Sequence, residues 1–78
     1  MSRVYRHYKG KYYRLLSVAD HTETREKMAV YEQLYTNEYP YGYIWCRPFG
    51  MFSEEVIYNN KIVPRFELMH MDVEQFIE

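Results

Sequence analysis

Ten tyrosines, four phenylalanines and a tryptophan stand in a chain of only 78 residues. A domain this short buries only about 60% of the surface its unfolded chain exposes, so its core must come from large side chains. Rings meet that need, because each buries roughly 150–250 Å². The length allows one domain, residues 1–78, and no second core. There are more tyrosines than such a core can hide, since a buried hydroxyl needs a hydrogen-bond partner. Several rings are therefore expected to lie half-exposed.

The apolar residues follow the two-residue period of strands. In Tyr12–Ala19, Tyr12, Arg14, Leu16 and Val18 alternate with Tyr13, Leu15, Ser17 and Ala19. Val4–Tyr8 is a shorter strand candidate, joined to it through a Lys9-Gly10 turn. Residues 20–27 are wholly polar and read as a hairpin tip, after which Met28–Tyr35 returns. A connector punctuated by Pro40 and Gly42 leads into the strand Tyr43–Arg47, which Pro48 ends. Phe49–Ser53 reads as a tight turn that sends Met51 and Phe52 into the core. Val56–Tyr58 and Lys61–Val63 flank Asn59-Asn60, a pair suited to a two-residue hairpin. After Pro64, Phe66–Met69 can complete the sheet. From Met69 the period lengthens, with Met69, Val73, Phe76 and Ile77 spaced as on a short helix over 69–78. The expectation is an all-β fold: a small barrel or roll of five to six short antiparallel strands over about residues 4–67, followed by that helical tail.

Many functions are excluded by what the sequence lacks. Cys46 is the only cysteine, so intrachain disulfides and multi-cysteine metal sites are impossible. With no apolar leader and no long apolar run, the expected setting is the cytoplasm, without a membrane. The glycines at 10, 42 and 50 are too scattered to form a phosphate-cradling loop. His21-Thr22-Glu23 has the H-x-E spacing of zinc deaminases but lacks the paired cysteines that such zinc needs. His7, His21 and His70 have no metal-ligand spacing, and Glu54 and Glu55 are adjacent and so point to opposite faces of a strand. Cys46, between Trp45 and Arg47, is expected to be a buried small apolar residue rather than a nucleophile. No catalytic residue, metal or cofactor is assigned.

The segments Tyr5-Arg6-His7-Tyr8-Lys9-Gly10, Tyr12-Tyr13, His21-Thr22-Glu23-Thr24, Trp45-x-Arg47-Pro48, Met51-Phe52 and Pro64-Arg65-Phe66 occur in an order and spacing that resembles the bacterial DUF1653 family. The resemblance spans residues 4–67 and implies an SH3-like barrel. It implies no activity, because the family's biochemical function is unassigned. Asn59-Asn60 departs from the family's usual glycine-containing turn, and the tail lies outside the shared pattern.

Charge is uneven although it sums to −1. Arg3, Arg6, Lys9, Lys11 and Arg14 crowd the first 14 residues, whereas 67–78 holds Glu67, Asp72, Glu74 and Glu78. Basic residues interleaved with rings are what single-stranded nucleic acid requires, though stems of basic side chains covering a tyrosine core would look the same. The favoured reading is a non-enzymatic binding module for a peptide, single-stranded nucleic acid or small anion. Its candidate ligand residues are Arg6, His7, Tyr8, Tyr13, His21, Glu23, Trp45, Arg47 and Arg65. One alternative is a small-molecule site or enzyme built on a cluster of Arg6, His7, His21, Glu23 and Arg47. Another is weak homo-oligomerisation through the C-terminal tail.

Overall fold

The computed structural model describes residues 3–70. Its elements are β1 (Arg3–His7), β2 (Tyr12–Asp20), β3 (Lys27–Gln33), β4 (Ile44–Pro48), α1 (Phe49–Ser53), β5 (Glu55–Tyr58), β6 (Lys61–Pro64) and β7 (Phe66–Met69). The all-β class holds. Five strands form one antiparallel sheet in the order β4-β3-β2-β1-β7, and β5 pairs with β6 alone. The expected barrel is not closed among the described residues, because β4 and β7 do not pair with each other. Pro48 ends β4, so that edge of the sheet lacks one N–H donor. The strand count is also higher than expected.

Turn chemistry fixes most of the boundaries. Gly10 has φ +106° and its N–H donates to the His7 carbonyl, closing the β1–β2 hairpin. Asn59 and Asn60 both adopt positive φ, 52° and 63°, as a two-residue hairpin between β5 and β6 demands. At the polar tip, His21 Nδ1 accepts from the Glu23 and Thr24 backbone N–H groups, so this histidine serves the turn. Arg65 ties the small hairpin to the large sheet: its N–H donates to the Glu54 carbonyl, while its carbonyl accepts from Tyr8.

One face of the sheet carries the main aromatic cluster, while Val4, fully buried, points to the other face of β1. Ala29, Tyr31, Phe52 and Phe66 are buried, with Tyr5, Tyr13, Leu15, Trp45 and Phe49 packed around them. Phe52 stacks on Phe66 with ring centroids 4.2 Å apart and meets the edge of Tyr5 at 5.1 Å. The expected pairing of Met51 with Phe52 as core plugs holds only for Phe52, which is 3% exposed while Met51 is 48% exposed. Phe49–Ser53 forms a single helical turn, and a helix shows adjacent residues to different sides. Cys46 is exposed, not buried, because it lies on the outer strand facing away from the core. In β2 the register shifts between Leu15 and Ser17, where a bulge inserts one residue. Simple alternation fails past that point, and Val18 pairs with Ala29 of the core face. Met69, expected to begin the tail helix, is the last residue of β7. The rest of that segment, 71–78, lies outside the described residues.

Candidate functional site

Tyr5 and His7 alternate to the core face of β1, so that Tyr5 lies opposite Tyr13 of β2 and His7 opposite Phe66 of β7. On β3, Tyr31 and Gln33 lie opposite Leu15 and Tyr13 on one side, while on the other Tyr31 lies opposite Trp45 of β4. The cavity these strands leave open has a volume of about 300 Å³ and is walled by Tyr13, Tyr31, Tyr35, Tyr39 and Trp45, with Gln33, Asn37 and Arg47 supplying polar groups.

Gln33 organises this cavity. Its side chain is 1% exposed. Its amide oxygen accepts from Trp45 Nε1 at 3.0 Å, and its amide nitrogen donates toward the carbonyls of Tyr35 and Tyr39, each at 3.0 Å, and toward Asn37 Oδ1 at 3.1 Å. One buried amide thus holds the indole and the 35–40 connector in register. On the next ring pair, the Tyr13 and Tyr35 hydroxyls lie 2.5 Å apart. Burial and that hydroxyl contact hold the Tyr13 phenol well above its ordinary pKa, so it stays protonated and able to donate.

Arg47 is the charge of the site. Its Nε donates to the Tyr31 hydroxyl at 3.0 Å, and its guanidinium lies 5.5 Å from the Phe66 ring centroid and 6.0 Å from that of Tyr31. Among the described residues no carboxylate pairs with it, and its Nη groups make no hydrogen bond. A half-buried arginine is ordinarily matched by an acid. Here aromatic faces orient the fork and leave its outer edge open.

His7 adjoins Arg47 without adding charge. It meets Phe66 at 5.0 Å and Tyr13 at 6.4 Å edge to face, and it stacks on Tyr8 at 4.5 Å. Its Nδ1 accepts from the Lys9 N–H at 3.2 Å, which leaves the proton of the neutral ring on Nε2. Desolvation, followed by the charges of Arg47, Arg65 and Lys9, pulls its pKa down to about 4. At neutral pH His7 is an uncharged donor in positive surroundings.

The candidate residues from the sequence divide among four places. Tyr13, Trp45 and Arg47 line this first cavity, and His7 packs beside Tyr13. Arg6 and Tyr8 line a second cavity, of about 380 Å³, with Tyr58, Val63, Pro64 and Glu67. Arg65 lies between the two, bound to Glu54 through Nε at 2.8 Å and with its guanidinium 5.9 Å from the Tyr8 ring. His21 and Glu23 are elsewhere, in the β2–β3 turn. Eight strand steps separate Tyr12 from Asp20, roughly 26 Å along β2. The polar cluster of Arg6, His7, His21, Glu23 and Arg47 therefore does not converge. Arg6 and His7 are neighbours in one strand and face opposite sides of it.

Gln33, Tyr31, Tyr35, Tyr39 and Phe66 were not singled out by the sequence as site residues. A signal for Gln33 existed: it is a polar residue at an inward position of β3, in line with Ala29 and Tyr31.

Residues 3–68 match the family described as "Protein of unknown function (DUF1653)". A comparison with curated proteins finds no match. Among solved structures, a crystal structure of a DUF1653 protein from Bordetella bronchiseptica is similar to this chain. It shares 34% identity at a TM-score of 0.75, over 86% of this chain and 83% of that one. With nearly the whole ordered sheet inside the matched residues, this chain belongs to the DUF1653 family.

Proposed function

We propose that this domain is a non-enzymatic binding module whose first cavity takes a small anionic ligand carrying a flat group. The observation behind this reading is Arg47: a guanidinium seated on rings, anchored through Nε, without a carboxylate partner among the described residues and bordering a cavity. The open edge of an arginine fork matches the paired oxygens of a carboxylate or phosphate. Tyr39, Tyr35 and Trp45 offer faces on which a planar group can stack, and tyrosine hydroxyls of the wall supply neutral hydrogen-bonding groups. No general base stands beside a nucleophile in this cavity, which favours binding over chemistry. A single cysteine without a disulfide fits a reducing compartment such as the cytoplasm.

Trp45 is the only tryptophan in the chain and lines the cavity, so its emission reports occupancy. Uridine 5′-monophosphate, benzoate and inorganic phosphate serve as probes for titration of wild-type protein and of Arg47→Gln with an unchanged circular-dichroism spectrum. The expected result is a saturable change with a flat anion that weakens roughly tenfold or more in Arg47→Gln. If no probe moves the emission, or if both proteins respond alike, the reading is wrong.

A further inference from the structure

The two cavities are joined by an unbroken line of rings. Tyr58, in the second cavity, meets Tyr8 at 5.3 Å; Tyr8 stacks on His7 at 4.5 Å; His7 reaches Tyr13 at 6.4 Å; Tyr13 meets Tyr35 at 5.5 Å on the wall of the first cavity. This line shares the first cavity with a separate group of rings, Tyr39, Trp45 and Tyr43, whose centroids lie between 4.6 and 5.1 Å apart. It passes around the end of β1, through the Tyr8-Lys9-Gly10 turn, from one face of the strand to the other. Tyr39 and Tyr43 of that group are 37% and 41% exposed and Tyr58, at the far end of the line, is 43% exposed, so aromatic surface is accessible at both ends.

Cations follow the same line. Lys9 and Arg65 each lie 5.9 Å from the Tyr8 ring centroid, Lys11 lies 5.1 Å from that of Tyr35, and Arg47 covers Phe66. Arg6 lines the second cavity. Glu67 is the one carboxylate among the residues lining either cavity, and Glu54 beside them is held by Arg65. Acids are more frequent at the opposite end of the β2–β3 hairpin, where Asp20, Glu23 and Glu26 stand. The overall charge of −1 thus conceals a local excess of positive charge around the rings.

We infer that the ligand is single-stranded nucleic acid, running from the first cavity over the His7–Tyr8 turn into the second. This rests on the binding reading above and names its ligand. Exposed rings at both ends with interposed lysine and arginine suit a strand whose bases stack on aromatic surface while its phosphates meet cations. In this arrangement Arg47 takes one phosphate at the first cavity, and Tyr8 and Tyr58 stack bases at the second. An acidic peptide would satisfy the cations but leave the row of ring faces without flat partners.

The test compares an eight-residue oligouridylate with uridine 5′-monophosphate, using the emission of Trp45 and the anisotropy of an end-labelled oligomer. The oligomer is expected to bind at least tenfold more tightly than the mononucleotide. Its log K should fall with log salt at a slope of roughly −2 to −3, as for three or four neutralised phosphates. Tyr58→Ala and Arg6→Gln, away from the buried core, should bring the ratio of oligomer to mononucleotide affinity toward one. Tyr58→Phe, which keeps the ring, should preserve the ratio. If the mononucleotide binds through Arg47 and the oligomer gains nothing, or if Tyr58→Ala leaves the ratio intact, this inference falls and the binding reading stands. If neither ligand binds, both fall.

Discussion

Gln33 shows how one buried amide can decide the shape of a surface. Every polar atom of its side chain has a partner, and those partners belong to two separate stretches, the 35–40 connector and β4. Replacing it with leucine would leave carbonyls and an indole N–H unmatched. Gln33→Leu is expected to cost about 3 kcal/mol by denaturant unfolding, within the range for orphaned buried polar groups. It should also shift the emission of Trp45 as the indole loses its acceptor. His7 makes a different contribution, visible through pH. Its folded pKa of about 4 lies below the 6.5 of an unperturbed histidine. As pH falls through 6.5 the unfolded chain takes up a proton that the folded chain refuses, so stability declines between about 6.5 and 4 and levels off below. Above 6.5 both states are neutral and His7 adds no slope. In His7→Gln the dependence of the urea midpoint on pH in this window should be shallower than in wild type.

At the scale of elements, the parts that could be read from the sequence were those dictated locally. Alternation located β1 to β4, Pro48 and Gly10 set boundaries, and Asn59-Asn60 announced the second hairpin. Asn60→Val places a β-branched residue at φ 63°, and the expected loss is about 1–2 kcal/mol by thermal or chemical unfolding. What the sequence hid depended on distant partners. The bulge at Leu15–Ser17 reverses which side chains of β2 face inward, and no single residue there marks it. Cys46 looked like core because its neighbours are large, yet its side of β4 faces outward. The same limit applied to the site. Trp45, Arg47, His7 and Tyr13 were legible as unusual residues, but their convergence follows from β1 pairing with β7 and β3 pairing with β4. Those pairings also separate His21 and Glu23 from them.

Taken whole, the molecule is a sheet with two outer strands and a small hairpin that leans on it through Arg65. Open edges invite pairing with other chains unless they are short or interrupted. Here β4 and β7 have five and four residues, and Pro48 ends the former. Among the described residues the most exposed apolar pair is Ile57 opposite Ile62 on the hairpin, 78% and 69% accessible. Since they support no core, Ile57→Thr with Ile62→Thr should change unfolding free energy by less than about 1 kcal/mol. Chromatographic size and solubility are the companion measurements, with solubility expected to rise. A larger loss of stability would mean that the hairpin packs against more than the sheet.

The outward turn of Cys46 has a practical consequence. Cys46 and Trp45 are adjacent in β4, so one side chain lines the cavity and the other projects from the reverse of the same strand. A maleimide probe on the chain's single thiol would therefore sit within a few ångströms of its single indole without entering the cavity. Indole and thiol are already fixed back to back on an outer strand, so the reverse of that strand can be labelled or tethered in the unmutated protein while the cavity stays open.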